Sequence, residues 1–254
     1  MADFESIIES INSKIDREVN LFNIELEAIL AKVENLVIAR SVASIKDPLK
    51  FDYAVQQILV EAGYYDLVSD FINNSYDKNY SNITALFEAS GLLATFDKTD
   101  ILNISNIKAL DLEFFNDIGK QASMRLKQDL FKYALSDLDT NTLVANIRES
   151  LADTSLVKYS NTYAETAISN FNQSVIDLKS QDVEGEVYIY RGVKDKKTRK
   201  FCSCLVSQRK YYDKNDASMI KSDKRRQYNC RHLIVPVGKE YAESSGYKAG
   251  AFSC

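Results

Sequence analysis

Apolar residues recur along the first part of the chain at intervals of three and four: Ile8, Ile11, Ile15, Val19, Phe22, Leu26, Ile29, Val33 and Leu36, with no glycine or proline among them. A near-heptad stripe sustained over about four heptads predicts one helix of roughly 30 to 35 residues, about 50 Å long. A helix that long with so narrow a seam must pack along a partner. The partner is either a helix of the same chain, foremost the one predicted over Leu156 to Ser180, or another protein chain, a second copy included.

Further along, Asp47-Pro48 reads as a helix start, and Phe51, Val55, Ile58 and Leu59 predict a second helix ending near Gly63. Tyr64 to Phe71 and Ile83 to Phe87 read as short helices, separated by a polar run from Asn73 to Asn82 that has the composition of a loop. The apolar positions between Ile101 and Leu112 fit no single period, so a broken helix and a short extended piece both remain open. Phe114 to Leu135 predicts a helix running through Gly119. Thr140 to Leu151 predicts another, with Thr140 or Asn141 as its N-cap, and Leu156 to Lys179 a long one.

Glycine and proline divide the chain. Residues 1 to 184 hold Pro48, Gly63, Gly91 and Gly119, whereas Gly185, Gly192, Pro236, Gly238, Gly246 and Gly250 crowd the remainder. The predicted fold class is therefore mainly α: a long-helix N-terminal body over residues 1–180, with a small C-terminal α+β domain over 181–254.

Charge follows the same division. The net charge of −4 combines a segment from Ile189 to Lys239, with 15 Lys or Arg against four Asp and a local net of +11, with a remainder at −15. A polarity of that size suits an acidic partner at the C-terminal domain, nucleic acid foremost; the alternative is a solvated lysine-rich surface. The candidate contacts are Lys194, Lys196, Lys197, Arg199, Lys200, Lys224, Arg225 and Arg226. No apolar run reaches the roughly 18 residues that span a bilayer, so no membrane partner is expected. The opening Met1-Ala2-Asp3-Phe4-Glu5-Ser6 lacks the basic and apolar regions of a secretory signal, which places synthesis in a cytoplasm.

All four cysteines and the single histidine fall in the last 53 residues. In a reducing compartment, cysteines read as thiols or metal ligands sooner than as structural disulfides. Cys202 and Cys204 are separated by one residue, as are Cys230 and His232, so on two paired strands each couple would present one face. Together they would make a Cys3His set of the kind that holds structural zinc. The other readings are buried thiols with a hydrogen-bonded His232, and a disulfide formed outside the cell. Cys254, at the end of the sequence, reads as incidental.

The wording around these residues is specific. Tyr188-Ile189-Tyr190-Arg191-Gly192-Val193-Lys194-Asp195 is followed by Thr198-Arg199-Lys200-Phe201-Cys202, then by Asn229-Cys230-Arg231-His232 and an apolar run through Pro236-Val237. Together they resemble the C-terminal signature of tailed-phage minor head proteins, the Mu F-like head morphogenesis family, over roughly residues 160 to 239. The resemblance implies a structural virion protein of the phage head, associated with portal and capsid, acting in head morphogenesis and in DNA packaging or delivery. Under it, the partner of the long N-terminal helix can be a portal surface, or a second copy in a homo-oligomer.

Two enzymatic readings are weaker. A Cys–His nucleophile lacks an identifiable third, orienting residue. Tyr190-Arg191-Gly192 looks like the arginine strand of ADP-ribosyltransferases, but the Ser-Thr-Ser-like and Glu-x-Glu-like elements of that class do not follow it, and no phosphate-binding glycine loop occurs. The expectation is a protein that is not an enzyme. The alternative to a head protein is a zinc-stabilised nucleic-acid-binding module with a helical oligomerisation arm.

Overall fold

A computed structural model describes residues 4–44, 57–92, 96–134, 139–152, 155–181, 183, 186–223 and 230–254. The fold is mainly α with a small α+β region. Helices come first, among them α1 (Phe4–Ser44), α2 (Tyr64–Ala89), α3 (Lys98–Ala134), α4 (Thr140–Ala152) and α5 (Ser155–Lys179). Then follow β1 (Glu186–Arg191), α6 (Lys200–Gln208), β2 (Lys210–Tyr212), α7 (Lys214–Ser222), β3 (Leu233–Gly238), α8 (Lys239–Ser244) and β4 (Lys248–Ala249).

The first helix is longer than its periodicity predicts, at 41 residues. Its stripe is buried from Ile8 through Val33 and closes on Val37, while Leu36 is only half-buried. The partners along it belong to the same chain, so the seam is not a vacant docking face. In one stretch Lys14 donates to Asn82 and Glu18 pairs with Lys78, both on α2. In another, Phe22 packs on Phe71 and Phe115, and Arg148 bonds Glu34.

Three other expectations are corrected. The polar run Asn73 to Asn82 is no loop but the middle of the continuous 26-residue α2. Its inward face alternates apolar and polar groups, Ile72, Tyr76, Asn79 and Ile83, and Asn79 satisfies its amide on the Ser75 carbonyl at 2.7 Å. The unassigned stretch from Ile101 to Leu112 is part of α3, and its pattern is blurred because Ile101, Leu102 and Leu110 are exposed while Ile104 is buried. The N-cap of α4 is neither Thr140 nor Asn141. The Asp139 carboxylate accepts from the N–H groups of Asn141 and Thr142, at 2.9 and 3.1 Å. Residues 57–62 are helical up to Gly63, which adopts φ 91° to separate them from α2; the start expected at Asp47-Pro48 lies outside the described residues.

Contacts group the chain into two compact units that cut across the boundary expected at residue 180: residues 1–18, 74–108 and 162–254 form one, residues 19–73 and 109–161 the other. The helices named as body therefore contribute segments to the same unit as the sheet. The second unit is all helix, with an aromatic core around Phe22, Phe71 and Phe115. There the Tyr64 hydroxyl donates to the Phe115 carbonyl at 2.8 Å, and Gly119 leaves room for the Tyr64 ring.

In the first unit the sheet order is β3-β1-β2-β4, with β1 antiparallel to both neighbours and β2 parallel to β4. Proline is tolerated in β3 because the strand lies at the sheet edge. That edge is closed by a side chain: Gln173 of α5 accepts from the Ile234 N–H at 3.0 Å and donates to the Ile234 carbonyl at 3.2 Å. Below it, Lys179 and Asp100 form a buried ion pair at 2.8 Å, with the ammonium also 4.8 Å from the Phe96 ring centre. Tyr188 and Tyr190 project from β1 into a small core with Phe201, Leu205, Tyr212 and Ile220, which places α6 and α7 against one face of the sheet.

Candidate metal centre

Helix α6 decides which cysteines meet. Successive residues of a helix advance by about 100°, so positions two apart point to nearly opposite sides. Cys202 consequently turns inward with Phe201 and Leu205, at 2% exposure, while Cys204 turns toward the chain's end. There it forms a disulfide with Cys254. This corrects two expectations at once: Cys204 is not a fourth ligand beside Cys202, and Cys254 is not incidental. The premise that failed was strand geometry for the Cys-x-Cys couple.

The remaining three donors converge. The ligand atoms of Cys202, Cys230 and His232 all lie within 4.8 Å of one another. The two thiol sulfurs are 4.0 Å apart, and the Tyr190 hydroxyl sits between them, donating to Cys202 at 3.2 Å and lying 3.6 Å from Cys230. The Tyr190 ring also stacks on the His232 imidazole, with centroids 5.4 Å apart and planes within 9°. That close approach depends on Gly192: a Cβ there would lie 2.5 Å from His232 Cδ2 and 2.9 Å from its Cα. Contact with Cys230, then burial, pushes the Cys202 thiol pKa well up, and burial does the same to the Tyr190 phenol. Left alone, Cys202 stays protonated; a bound divalent cation would reverse that by taking the sulfurs as thiolates. Two thiols and an imidazole are a donor set that fits a soft to borderline metal ion.

A turn braces this cluster. The Thr198 hydroxyl accepts from the Asp195 N–H at 2.9 Å and bonds the Val193 carbonyl, while Asp195 accepts from the Lys197 N–H. The other Asp195 oxygen takes the Arg231 guanidinium at 2.7 Å, and Arg231 also reaches Asp16 at 3.5 Å. Partial burial works against the Asp195 charge, but the bonds from Arg231 and Thr198 outweigh it and hold the carboxyl below the usual range. Arg231, between two of the metal donors in sequence, is thus fixed with only 6% of its side chain exposed.

The cations expected to meet nucleic acid divide into two groups. Lys194, Lys196, Lys197, Arg199 and Lys200 are all exposed, in the turn before α6 and at its start, and Lys194 donates to Ser207. Lys224, Arg225 and Arg226 lie outside the described residues. Other basic residues of the positive segment are bound within the fold: Arg191 pairs with Glu5, and Lys221 with Asp177 at 2.6 Å. Among the described residues no helix is long and apolar enough to cross a membrane.

Sequence reasoning found Cys202, Cys230 and His232 but missed Tyr190, Gly192, the Asp195–Arg231 pair and the role of Cys254. Gly192 carried a signal, since a glycine directly after a strand often marks a close approach of another group. Comparison of the chain with protein-family models, with curated proteins and with solved structures finds no match in any of the three.

Proposed function

We propose that this chain is a non-enzymatic minor head protein of a tailed phage, of the Mu F-like head morphogenesis kind, made in the host cytoplasm and working at the portal in head assembly and DNA packaging or delivery. The observation that carries this reading is the convergence of the signature residues. Asp195, Thr198 and Cys202 lie about 30 residues before Cys230, Arg231 and His232, yet the two groups join through one ion pair and one thiol–thiol contact. A chance match of letters gives no reason for such a meeting.

In this reading, Cys202, Cys230 and His232 hold a structural zinc ion that ties the segment after β1 to the segment before β3. The exposed cations from Lys194 to Lys200 supply the DNA-facing surface, together with Lys224, Arg225 and Arg226. The portal-facing surface is not the α1 seam, which the chain itself fills. Leu110, Phe114, Met124 and Phe131 of α3 are all exposed and share one side of that helix with Glu113, Asp117, Gln121 and Gln128, a mixed surface of apolar anchors among polar groups of the kind a partner covers.

The test is capture of the full chain on the portal protein of the same phage, beside a Leu110→Asp/Phe114→Asp variant. Truncation at residue 180 is avoided because it divides a compact unit. The wild type binds, and the variant binds about tenfold or more weakly, as loss of central apolar anchors predicts. Absence of binding by the wild type sinks the portal reading. The Cys/His cluster beside exposed cations favours the alternative, a zinc-stabilised nucleic-acid-binding module; that reading gains if the chain ignores portal protein but binds nucleic acid with a steep salt dependence.

A further inference from the structure

We propose that Cys202 and Cys230 are a redox pair as well as metal ligands: in the metal-free chain a peroxide joins their sulfurs in a disulfide, so that metal and disulfide are alternative ties between the same two segments. The inference rests on the zinc reading above and goes beyond it by naming what ends metal binding. Both cysteines are reduced thiols, with their sulfurs 4.0 Å apart across 28 residues of sequence. A disulfide bond is about 2.05 Å long, so the sulfurs have about 2 Å to close, which a change of side-chain rotamer supplies. The Tyr190 hydroxyl does not obstruct that approach. At 3.2 Å from one sulfur and 3.6 Å from the other, it makes a nearly equilateral triangle with them and lies to one side of the line that joins them. Two residues along α6, Cys204 already stands in a disulfide with Cys254, so the fold tolerates oxidised cysteine on this helix.

Exposure divides the work between the two thiols. Cys230 is half-buried and Cys202 is buried, and both line one shallow cleft with His232. The cleft has room for about one water, so the oxidant that fits is a peroxide, scarcely larger than water, and not a bulky disulfide such as oxidised glutathione. Cys230, as thiolate, attacks one peroxide oxygen: an S–O bond forms, the O–O bond breaks and hydroxide leaves, to be protonated to water. The neighbouring Cys202 then attacks the sulfenic sulfur: the S–S bond forms, the S–O bond breaks, and the departing hydroxide takes up the Cys202 proton as water. In sum, two thiols lose two protons and two electrons, and one hydrogen peroxide is reduced to two waters. A bound metal blocks the first step by holding both sulfurs as ligands, and the disulfide in turn offers no thiolate to a metal. In a reducing cytoplasm the tie is the metal, and after release from the cell it is the disulfide.

The experiment treats the full chain, metal-free or zinc-loaded, with hydrogen peroxide, alkylates the remaining thiols and identifies linked peptides by mass spectrometry. The metal-free chain is expected to form the Cys202–Cys230 link. Zinc at about ten times its dissociation constant slows the link about tenfold, because only the unbound fraction reacts, and each link that forms from the loaded chain releases its zinc. In Cys202→Ser the reaction stops at a Cys230 sulfenic acid, which dimedone traps, whereas Cys230→Ser takes up little label. A metal-free chain that keeps both thiols reduced, or links either of them to Cys204 or Cys254, overturns the redox pair while leaving the metal site standing. Zinc that binds without slowing the link overturns the alternation. A chain that binds no zinc overturns the zinc reading and the alternation together, whatever peroxide does to its thiols.

Discussion

In the all-helical unit the contacts that fix the packing are aromatic and apolar: Phe22 meets Phe71 at 4.5 Å and Phe115 at 5.9 Å between ring centres, and the α1 stripe continues through Leu26, Ile29 and Val33. The unit that carries the sheet has an apolar core too, along Ile8, Ile11 and Ile15 and around Tyr190, Phe201 and Ile220, but adds a set of directional contacts to it. Gln173 seals an edge strand, Lys179 neutralises Asp100, Arg231 braces the turn at Asp195, and Cys204 ties down the chain's end. Apolar packing is spread over many weak contacts and leaves a periodic trace in sequence. Directional contacts each depend on one partner, often distant in sequence, and leave almost none.

The sharpest way to break the comparison is to remove one large side chain from the aromatic core. Phe115→Ala is expected to lower stability by about 3–5 kcal/mol, measured by urea unfolding, because the site cannot collapse around so large a void. In the other unit, Lys179→Met is expected to cost a similar ~3–5 kcal/mol by leaving Asp100 charged and buried without its partner. The double change Asp100→Leu/Lys179→Met should recover most of that loss, and a double variant as unstable as the single would show that packing, not charge, dominates there.

Next in size is the disulfide. Cys254→Ser opens a covalent loop whose ends are 50 residues apart and is expected to cost about 2–4 kcal/mol in unfolding experiments without reductant. With reductant, the variant and the wild type should unfold alike. Smaller again is Gly192→Ala, whose Cβ must push His232 aside; about 1–3 kcal/mol of stability is expected to go, with metal affinity falling about tenfold or more. The disulfide variant leaves metal affinity unchanged, so the two changes separate the chain-end tie from the metal cluster.

The smallest effect is on pH dependence. Burial works against the Asp100 charge, but the Lys179 ammonium and the Asp97 N–H hold its carboxyl below the ordinary value of 3.8. A group depressed in the folded state contributes stability above its unfolded value and loses it as pH falls through the folded one. The stability gap between the wild type and Asp100→Asn should therefore be constant above about pH 4 and shrink below it.

How much could be read in advance follows the same contrast. Helix α1 was legible because nearly every inward position carries an aliphatic or aromatic side chain. The middle of α2 was not, since Ser75 and Asn79 occupy fully buried positions and give a helix the composition of a loop. The first turns of α3 were obscured by exposed Ile101 and Leu102, apolar residues on the wet side. At the site, clustering of Cys and His pointed to the right segment, and the paired spacing suggested four ligands. Spacing alone does not say whether a couple lies on a strand or a helix, and the helical Cys-x-Cys sends its second sulfur away from the first. The partner of that sulfur, at the chain's last residue, could be found only from the fold.

The central claim is that Cys202, Cys230 and His232 bind a metal ion and Cys204 does not. Zinc content per chain, measured by elemental analysis on wild type, Cys202→Ser and Cys204→Ser, tests it directly. The account predicts one zinc per chain in wild type and Cys204→Ser, and none in Cys202→Ser. Loss of zinc from Cys204→Ser together with Cys202→Ser, or no zinc in wild type, would contradict it.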